Sequence, residues 1–364
     1  MRKISSCSRL SPVLFPLAGA LIALHLFIFP SVSEAASMAM NERQLHCAND
    51  SMKFLALGHL YQKPWANEED QIVDTLIATL PRLRGSDFDF VMFLGDLVWQ
   101  ASPESFERLR DRLLSQFKVP VYNAVGNHDL GDPKLYKELF GRTYFQFTCG
   151  SAQVIVIDSE LERGRIVGEQ LEFMQQSIAR AEVNSDIKQV FIFSHKLLWA
   201  EPEKRYDIVY RRMNDTTWHS PGVDFSSNIL PLLSRLASKK DVFWGSGDLG
   251  VNDEFGLFLD FDPETRITWF AAGLGNWPTD AALVVTVSPE SGIEFTPLSL
   301  TTGVAIPGHT LFSWKARAIE QSLWRSLRSP IPPVVGLAIF LISCCIVLLI
   351  FFMRKSQSSG RTSR

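Results

Sequence analysis

The stretch Gly126-Asn127-His128-Asp129 follows directly on the apolar run 119–125, Val-Pro-Val-Tyr-Asn-Ala-Val. A second tight turn, Gly95-Asp96, follows another apolar run at 88–94. Short apolar runs that end in turns are typical of buried strands. In an open α/β sheet, ligands bind at the carboxyl ends of the strands. The two turns therefore predict that Asp96, Asn127 and His128 lie at one functional site.

The remainder of the region 52–300 supports a sheet of this kind. Apolar strands alternate with amphipathic helices there, which favours an α/β fold over a helical bundle. Polar residues follow other predicted strands as well, namely His59, His195 and Asp248. Helices are predicted at 68–80, 103–117, 168–183 and about 229–238, and further strands at 54–57, 144–147, 153–158, 190–195, 242–244, 267–271, 282–287 and 293–298.

The two ends of the chain differ from this globular region. Residues 1–35 combine a basic head, an apolar stretch and a small-residue site, which indicates a signal peptide cleaved after Ala35; an uncleaved N-terminal anchor is the alternative. Residues 331–353 include twenty uncharged residues, enough for a transmembrane helix. The tail 354–364 is basic, which predicts a cytoplasmic location. We therefore expect a single-pass membrane protein whose domain 36–300 faces the extracytoplasmic (periplasmic, extracellular or lumenal) side.

Charge and amphipathicity indicate which partners suit the exported domain. Residues 37–300 hold 25 Lys and Arg against 37 Asp and Glu, a net charge of −12. Such a field repels polyanions, so no nucleic-acid partner is expected. A small phosphorylated substrate or a lipid headgroup suits it better. The linker 301–330 is basic and amphipathic, and either lies on the membrane surface or is a plain connecting helix.

Two cysteines, Cys47 and Cys149, occur in the region predicted to be exported. In an oxidising compartment one such pair suggests a single disulfide. The alternative is two unlinked cysteines, one of them buried.

The ordered motifs resemble those of the calcineurin-like metallophosphoesterases, within the superfamily that also includes purple acid phosphatases. That family carries Asp-x-His, Gly-Asp, Gly-Asn-His-Asp/Glu, a single His and Gly-His-x-His at successive strand ends. Here Gly95-Asp96 and Gly126-Asn127-His128-Asp129 are intact, and residues 193–199 resemble the single-His element. The resemblance covers about residues 52–300. It implies a four-layer α/β (α+β) fold, with two mixed β-sheets sandwiched between helices and metals at the strand ends.

The first and last family motifs are degenerate in this chain. In the preferred register His59 stands where the family has Asp, and Tyr61 where it has His. A register shifted by two keeps His59 as the family's His but puts Leu57 in the Asp position. The last motif has Asp248 and Gly250 in place of its two histidines.

The resemblance implies two unequal metal positions. The second would have four donors, and the first two or three, with Gly250 contributing none. The first position would then be completed by water or left unoccupied, and the exchanged residue types could also signal a changed metal preference. The donors are His59, Asp96, Asn127, His195 and Asp248, with Tyr61 as a conceivable addition, for one or two divalent ions (Mn, Fe or Zn) per chain.

The leading hypothesis is a membrane-anchored, exported, metal-dependent phosphoesterase that hydrolyses a phosphate mono- or diester through a metal-activated water. His128 would act as general acid, and Asp129 would orient it. The alternative is a degenerate family member that binds a phospho-ligand or a protein partner with little or no turnover. The chain has neither a Gly-x-Ser-x-Gly elbow nor a glycine-rich phosphate loop, so serine-hydrolase and P-loop chemistry are not supported.

Overall fold

A computed structural model describes residues 39–45, 47, 50–62, 71–201, 204–213, 225–252, 254–289 and 291–302. Within those residues, no helix combines the length and the apolar character needed to cross a bilayer. The predicted signal peptide (1–35), the linker from residue 303, the predicted span (331–353) and the tail (354–364) lie outside the described residues.

One mixed sheet has five strands and brings together the first three strand–helix units. Its strands are β1 (Met52–Leu57), β4 (Phe90–Phe93), β5 (Val121–Asn123), β12 (Ala281–Ser288) and β13 (Gly292–Ser299), in the spatial order β13-β12-β1-β4-β5. The neighbours β1, β4 and β5 are parallel, with Phe54 opposite Phe90 and Val91 opposite Val121. Their carboxyl ends therefore lie at the same edge of the sheet.

A second mixed sheet has six strands and lies face to face with the first. Its strands are β6 (Phe145–Cys149), β7 (Ala152–Val156), β8 (Gln189–Ser194), β9 (Asp241–Ser246), β10 (Leu257–Asp262) and β11 (Ile267–Ala272), in the spatial order β10-β11-β9-β8-β7-β6. The four inner strands are parallel. A parallel bridge between Gly58 and Gly273 joins the two sheets where β1 and β11 end.

Helices cover the outer faces of both sheets. They are α1 (Asp74–Arg84), α2 (Pro103–Arg112), α3 (Pro133–Phe140), α4 (Gly168–Val183), α5 (Asp207–Tyr210) and α6 (Leu230–Ala237). Alternate residues of β1 show the layering, since Phe54 and Ala56 join the core between the sheets whereas Leu55 and Leu57 join the core under α1 and α2. A third core fills the space between the six-stranded sheet and helices α4 and α6. The predicted four-layer fold is therefore confirmed.

Several element boundaries differ from the sequence-based expectations. The helix expected at 68–80 begins at Asp74, because β3 (Gln71–Ile72) pairs instead with β2 (Tyr61–Gln62). The helix expected at 103–117 stops at Arg112 and is followed by a 3₁₀ turn. Strand β10 and helix α3 were not predicted. The Asp132 side chain caps α3 by accepting hydrogen bonds from two backbone N–H groups of its first turn.

The disulfide is present in the structure. It joins Cys47, ahead of β1, to Cys149 at the end of β6, across 102 residues of sequence. This link ties the N-terminal segment of the domain to the edge strand of the six-stranded sheet. The expectation of a single disulfide is thus confirmed.

Candidate metal centre and active site

Four of the predicted site residues converge where the two sheets meet. His59 follows β1, Asp96 follows β4, His195 follows β8, and Asp248 follows β9. All four side chains are buried. Backbone hydrogen bonds connect the turns, since the His59 N–H donates to the Gly95 carbonyl at 3.0 Å and the Asp248 N–H to the His195 carbonyl at 3.1 Å.

The side chains of these residues face a common point. His59 Nε2 lies 3.4 Å from Asp96 Oδ2 and 3.3 Å from Asp248 Oδ1. His195 Nε2 lies 3.4 Å from the same Asp96 oxygen. The ligand atoms of His59, Asp96 and His195 all lie within 4.8 Å of one another.

Unpartnered atoms in this cluster indicate that it suits a metal ion. His59 Nδ1, His195 Nε2 and Asp248 Oδ2 are buried, and the part of the chain that the structure describes offers them no hydrogen-bond partner. A buried polar atom without a partner costs about 1–3 kcal/mol, so three such atoms on the residues of one cluster call for a ligand. Imidazole and carboxylate donors together suit borderline and hard divalent metals. The residues present therefore fit a divalent ion.

The backbone at two of these positions adopts the left-handed conformation. His59 has φ 52° and Asp96 has φ 57°, a region that costs an L-residue about 1–2 kcal/mol. Hydrogen bonds between the turns hold both residues there, including that from the Leu60 N–H to the Asp96 carbonyl at 2.9 Å. The fold thus maintains local strain at the positions where two of the donors enter the cluster.

The charges of the cluster reinforce one another. Burial alone would raise the pKa of Asp96, but the positive charges of His195 and His59 outweigh it and hold the pKa far below its usual value. Burial would lower the pKa of His195, but the charge of Asp96 raises it to about 10. The pKa of Asp248 is lowered, because the hydrogen bond from His59 and the charge of His195 outweigh burial. Two ionised carboxylates therefore lie in the cluster, and a divalent ion bound there would take the place of the proton that His195 holds in the ion-free cluster.

His128 lies beside the cluster on the turn after β5. Its backbone N–H donates to Asp96 Oδ1 at 3.1 Å, and its ring Nδ1 donates to the Trp99 carbonyl at 2.6 Å. The rings of Trp99 and Tyr61 flank it, with centroid distances of 4.6 and 5.0 Å. Asn127 is half-buried and precedes His128 directly, and an added Cβ at Gly126 would lie 2.2 Å from Asp96 Oδ1. Both chain neighbours of Asn127 therefore contact Asp96.

Asp129 has a different task from the one expected. Its carboxylate accepts hydrogen bonds from the backbone N–H groups of Asp96 (3.1 Å), Leu97 (2.7 Å) and Gly126 (3.0 Å). The His128 ring is oriented by the Trp99 carbonyl instead. Burial, and secondly the charge of Asp96, raise the pKa of Asp129 to about 6. Asp129 therefore fixes the two turns that carry Asp96 and Asn127.

Residues 52–230 match the family model of the calcineurin-like phosphoesterases. This region of the chain is a calcineurin-like phosphoesterase domain. The match supports a hydrolase of phosphoric esters and implies divalent metal ions.

Other comparisons are more distant. A probable cyclic nucleotide phosphodiesterase of Synechococcus sp. is 31% identical over 108 residues, 28% of this chain. The match covers 41% of that relative, so the chain spans about two fifths of the relative's length. Among solved structures, a dimetal phosphatase from Danio rerio has a TM-score of 0.49 at 13% identity, over 69% of this chain and 96% of that one. PhoD has a TM-score of 0.45 at 10% identity, over 78% and 79% of the two chains.

The positions of this calcineurin-like phosphoesterase domain that depart from the family motifs lie close to the cluster in sequence or in space. Tyr61 opens strand β2, and its ring contacts the rings of His59, Trp99 and His128, the first of them at a centroid distance of 5.4 Å. Gly250 has φ 94°, in the left-handed region. The first motif thus contributes His59 and an aromatic ring, and the last contributes Asp248.

Sequence reasoning missed two residues that support the phosphoesterase site. Asn123 ends β5, accepts a hydrogen bond from the Gly95 N–H at 3.1 Å and donates to Asp129 at 3.3 Å. Asn123 is the one amide side chain in the apolar run 119–125, and this pattern could have indicated its role from the sequence. Trp99 acts through its backbone carbonyl, which any residue type provides, so no pattern in the sequence points to it.

A buried ion pair adjoins His195 and was also missed. Lys196 Nζ lies 3.3 Å from Glu160 Oε2, and the Lys196 side chain is 1% exposed. Burial raises the pKa of Glu160 to about 7, although the charges of Lys196 and His195 oppose the rise. The Lys196 N–H also donates to Ser159 Oγ at 3.0 Å. The pair anchors the segment that carries His195.

Proposed function

We propose that this chain hydrolyses a phosphate mono- or diester at the cluster of His59, Asp96, His195 and Asp248, with His128 as general acid. The observation that carries the proposal is the convergence of buried imidazole and carboxylate groups, three of whose atoms have no hydrogen-bond partner among the described residues. Beside them lies His128, whose ring is held by the Trp99 carbonyl. A divalent ion bound there would supply Lewis-acid chemistry, polarising the phosphate and lowering the pKa of a water.

The residues of the site divide into an anchoring set and a proton donor. His59, Asp96, His195 and Asp248 would hold the ion, with Asn127 placed next to them by the turn it opens. His128 donates its Nδ1 proton to the Trp99 carbonyl at 2.6 Å, so Nε2 is the nitrogen that would protonate the leaving oxygen. The half-buried position of His128 keeps it within reach of a substrate from solvent.

The substrate class follows from charge and location. We propose a small phosphorylated molecule or a lipid headgroup, because the domain's net charge of −12 disfavours nucleic acids. Similarity to a probable cyclic nucleotide phosphodiesterase supports testing a diester alongside a monoester.

We also propose that a C-terminal helix at 331–353 anchors the chain and that the catalytic domain lies on the extracytoplasmic side. The uncharged stretch and the basic tail support this orientation. In sealed vesicles with the cytoplasmic face outward, added protease should remove the tail and spare the domain. Digestion of the domain with a protected tail would contradict the orientation.

Leaving-group dependence tests the role of His128. Full-length protein in detergent is assayed with manganese, iron or zinc on p-nitrophenyl phosphate, bis(p-nitrophenyl) phosphate and their alkyl counterparts. A general acid contributes about 10²–10⁴-fold when the leaving group is a poor one. His128→Asn should therefore lose far more activity on the alkyl esters than on the nitrophenyl esters.

The matched control is Asp262→Asn, a buried carboxylate at the end of β10 away from the cluster. It should behave as the native chain. Equal losses on both ester types would show that His128 is not the acid. Bound metal without turnover on any ester would favour a module that binds a phospho-ligand or a protein partner.

A further inference from the structure

Two departures from the family pattern meet each other in the fold. His59 stands where the resemblance places an aspartate, and Asp248 where it places a histidine. The two are 189 residues apart and come from different sheets, yet His59 Nε2 lies 3.3 Å from Asp248 Oδ1. The two replacements have therefore exchanged an imidazole and a carboxylate across one contact.

The exchange keeps a complete donor set for a single ion. His59 also faces Asp96, and Asp96 faces His195, each at 3.4 Å. Two imidazoles and two carboxylates therefore form one continuous series of contacts, Asp248–His59–Asp96–His195, and all of these side chains are at most 2% exposed. Four protein donors satisfy one divalent ion with water or substrate in the remaining positions.

A second ion would lack ligands on the side of Gly250. The backbone there has φ 94°, and an added Cβ would lie 2.7 Å from the Gly273 carbonyl oxygen. Real Cβ atoms essentially never approach another heavy atom that closely, and the contact is with backbone that cannot rotate away. No side chain fits at this position without moving the chain. The local backbone therefore leaves no room for a ligand side chain at position 250.

Tyr61 stands where the family has a histidine, and its ring packs against other rings. Its ring lies among the rings of His59, Trp99 and His128, with centroid distances of 5.4, 5.3 and 5.0 Å. The side chain is 4% exposed. Tyr61 thus belongs to the aromatic wall beside the proton donor.

We propose that this chain holds a mononuclear metal centre, in which His59 and Asp248 have exchanged donor types and together bind the same ion as Asp96 and His195. The inference rests on the proposed metal-dependent function, and it adds the number of ions and the pairing of two donors. The pairing has a distinctive consequence. His59→Asp alone leaves three carboxylates and one imidazole, and Asp248→His alone leaves three imidazoles and one carboxylate. The double variant restores two donors of each type.

Metal stoichiometry tests the number of ions directly. Full-length protein in detergent is stripped with a chelator and titrated with Mn²⁺, with bound metal measured by elemental analysis and electron paramagnetic resonance. The expected result is one Mn²⁺ per chain with the signal of an isolated ion. Two Mn²⁺ per chain with a spin-coupled signal would overturn the proposal.

An exchange series tests the pairing. His59→Asp and Asp248→His alone should each weaken Mn²⁺ binding by at least about tenfold, since even the loss of an outer partner of a metal ligand costs 10–100-fold. The double variant with both changes should recover most of the affinity. Asp262→Asn, the control outside the site, should bind as the native chain. A double variant that binds no better than the singles would contradict the pairing.

Two further measurements keep these results interpretable. Circular dichroism identifies any variant that fails to fold, and Asp248→Asn, which preserves shape while removing a charge, then reports the same loss of affinity. Activity separates this proposal from the function on which it rests. One bound ion without turnover would overturn the hydrolytic function alone, and two bound ions with turnover would overturn the mononuclear centre alone.

Discussion

Gly126→Ala is the substitution for which the structure gives the sharpest expectation. The added Cβ would lie 2.2 Å from Asp96 Oδ1 and 2.4 Å from the Asp96 backbone nitrogen. Ordinary van der Waals contact for a Cβ begins at 3.4 Å. The methyl group and the Asp96 carboxylate must therefore separate by about 1 Å, a distance that in an active site can cost about 10²-fold in rate.

Asp96 has little room to make this movement. Its Oδ1 accepts from the His128 N–H, its N–H donates to Asp129, and its Oδ2 lies 3.4 Å from both His59 and His195. Forcing a methyl group into such packing typically costs about 1–3 kcal/mol. We expect Gly126→Ala to lose this amount of unfolding free energy and to bind metal much more weakly.

Gly131→Ala, later in the same turn, is the matched control. The three atoms nearest to its Cβ would all belong to Ala101, the closest being the side-chain Cβ at 3.3 Å, and the φ of Gly131 is not in the left-handed region. A glycine-to-alanine change at a compatible site is neutral or stabilises by about 0.4–1 kcal/mol. Guanidinium unfolding and Mn²⁺ titration of both variants provide the comparison. If Gly126→Ala matched Gly131→Ala in stability and metal affinity, the assignment of Asp96 to the centre would be refuted.

Two other predictions concern the stability of the domain. Burial raises the pKa of Asp280 to about 6 from 3.8, against the opposing effect of its hydrogen bonds. The folded state therefore favours the protonated carboxyl. As the pH rises from about 4 to above 6 the domain loses the stability that this group contributes, about 3 kcal/mol of unfolding free energy by pH 7.5. Relative to the native chain, Asp280→Asn should gain about that much unfolding free energy between pH 4 and pH 7.5 in urea titrations; a difference that does not change with pH would contradict the assignment. Removing the disulfide with Cys47→Ser and Cys149→Ser should destabilise the domain by about 5 kcal/mol, because the bridge closes a loop of roughly 100 residues in the unfolded chain. A reductant should lower the stability of the native chain to the same extent and leave the double variant unchanged, as followed by thermal unfolding; equal sensitivity of both proteins would argue against the bridge.

Much of the fold was predictable because its signals are local. Helix α4 was expected at 168–183 and spans those residues, since its apolar periodicity is complete within one segment. Strand β10 was missed because Asp260 and Asp262 interrupt its apolar pattern, although both are buried. The start of α1 was misplaced because β3 pairs with β2, and that pairing depends on a second segment.

The sequence by itself determined the family, the layered architecture and the residue types that leave each strand end. Those properties are local, since a turn after a buried run places its side chain at the sheet edge whatever lies opposite. Only the tertiary structure decided which of these side chains meet. His59 and Asp248 lie at the ends of strands in different sheets, and their contact depends on how the two sheets pack. The pairing of β4 with β5 in one sheet likewise brings the His128 ring to the carbonyl of Trp99 and the carboxylate of Asp129 to the backbone N–H of Asp96. Backbone groups have no signature in the sequence, so the partner that each side chain finds could only be read from the fold.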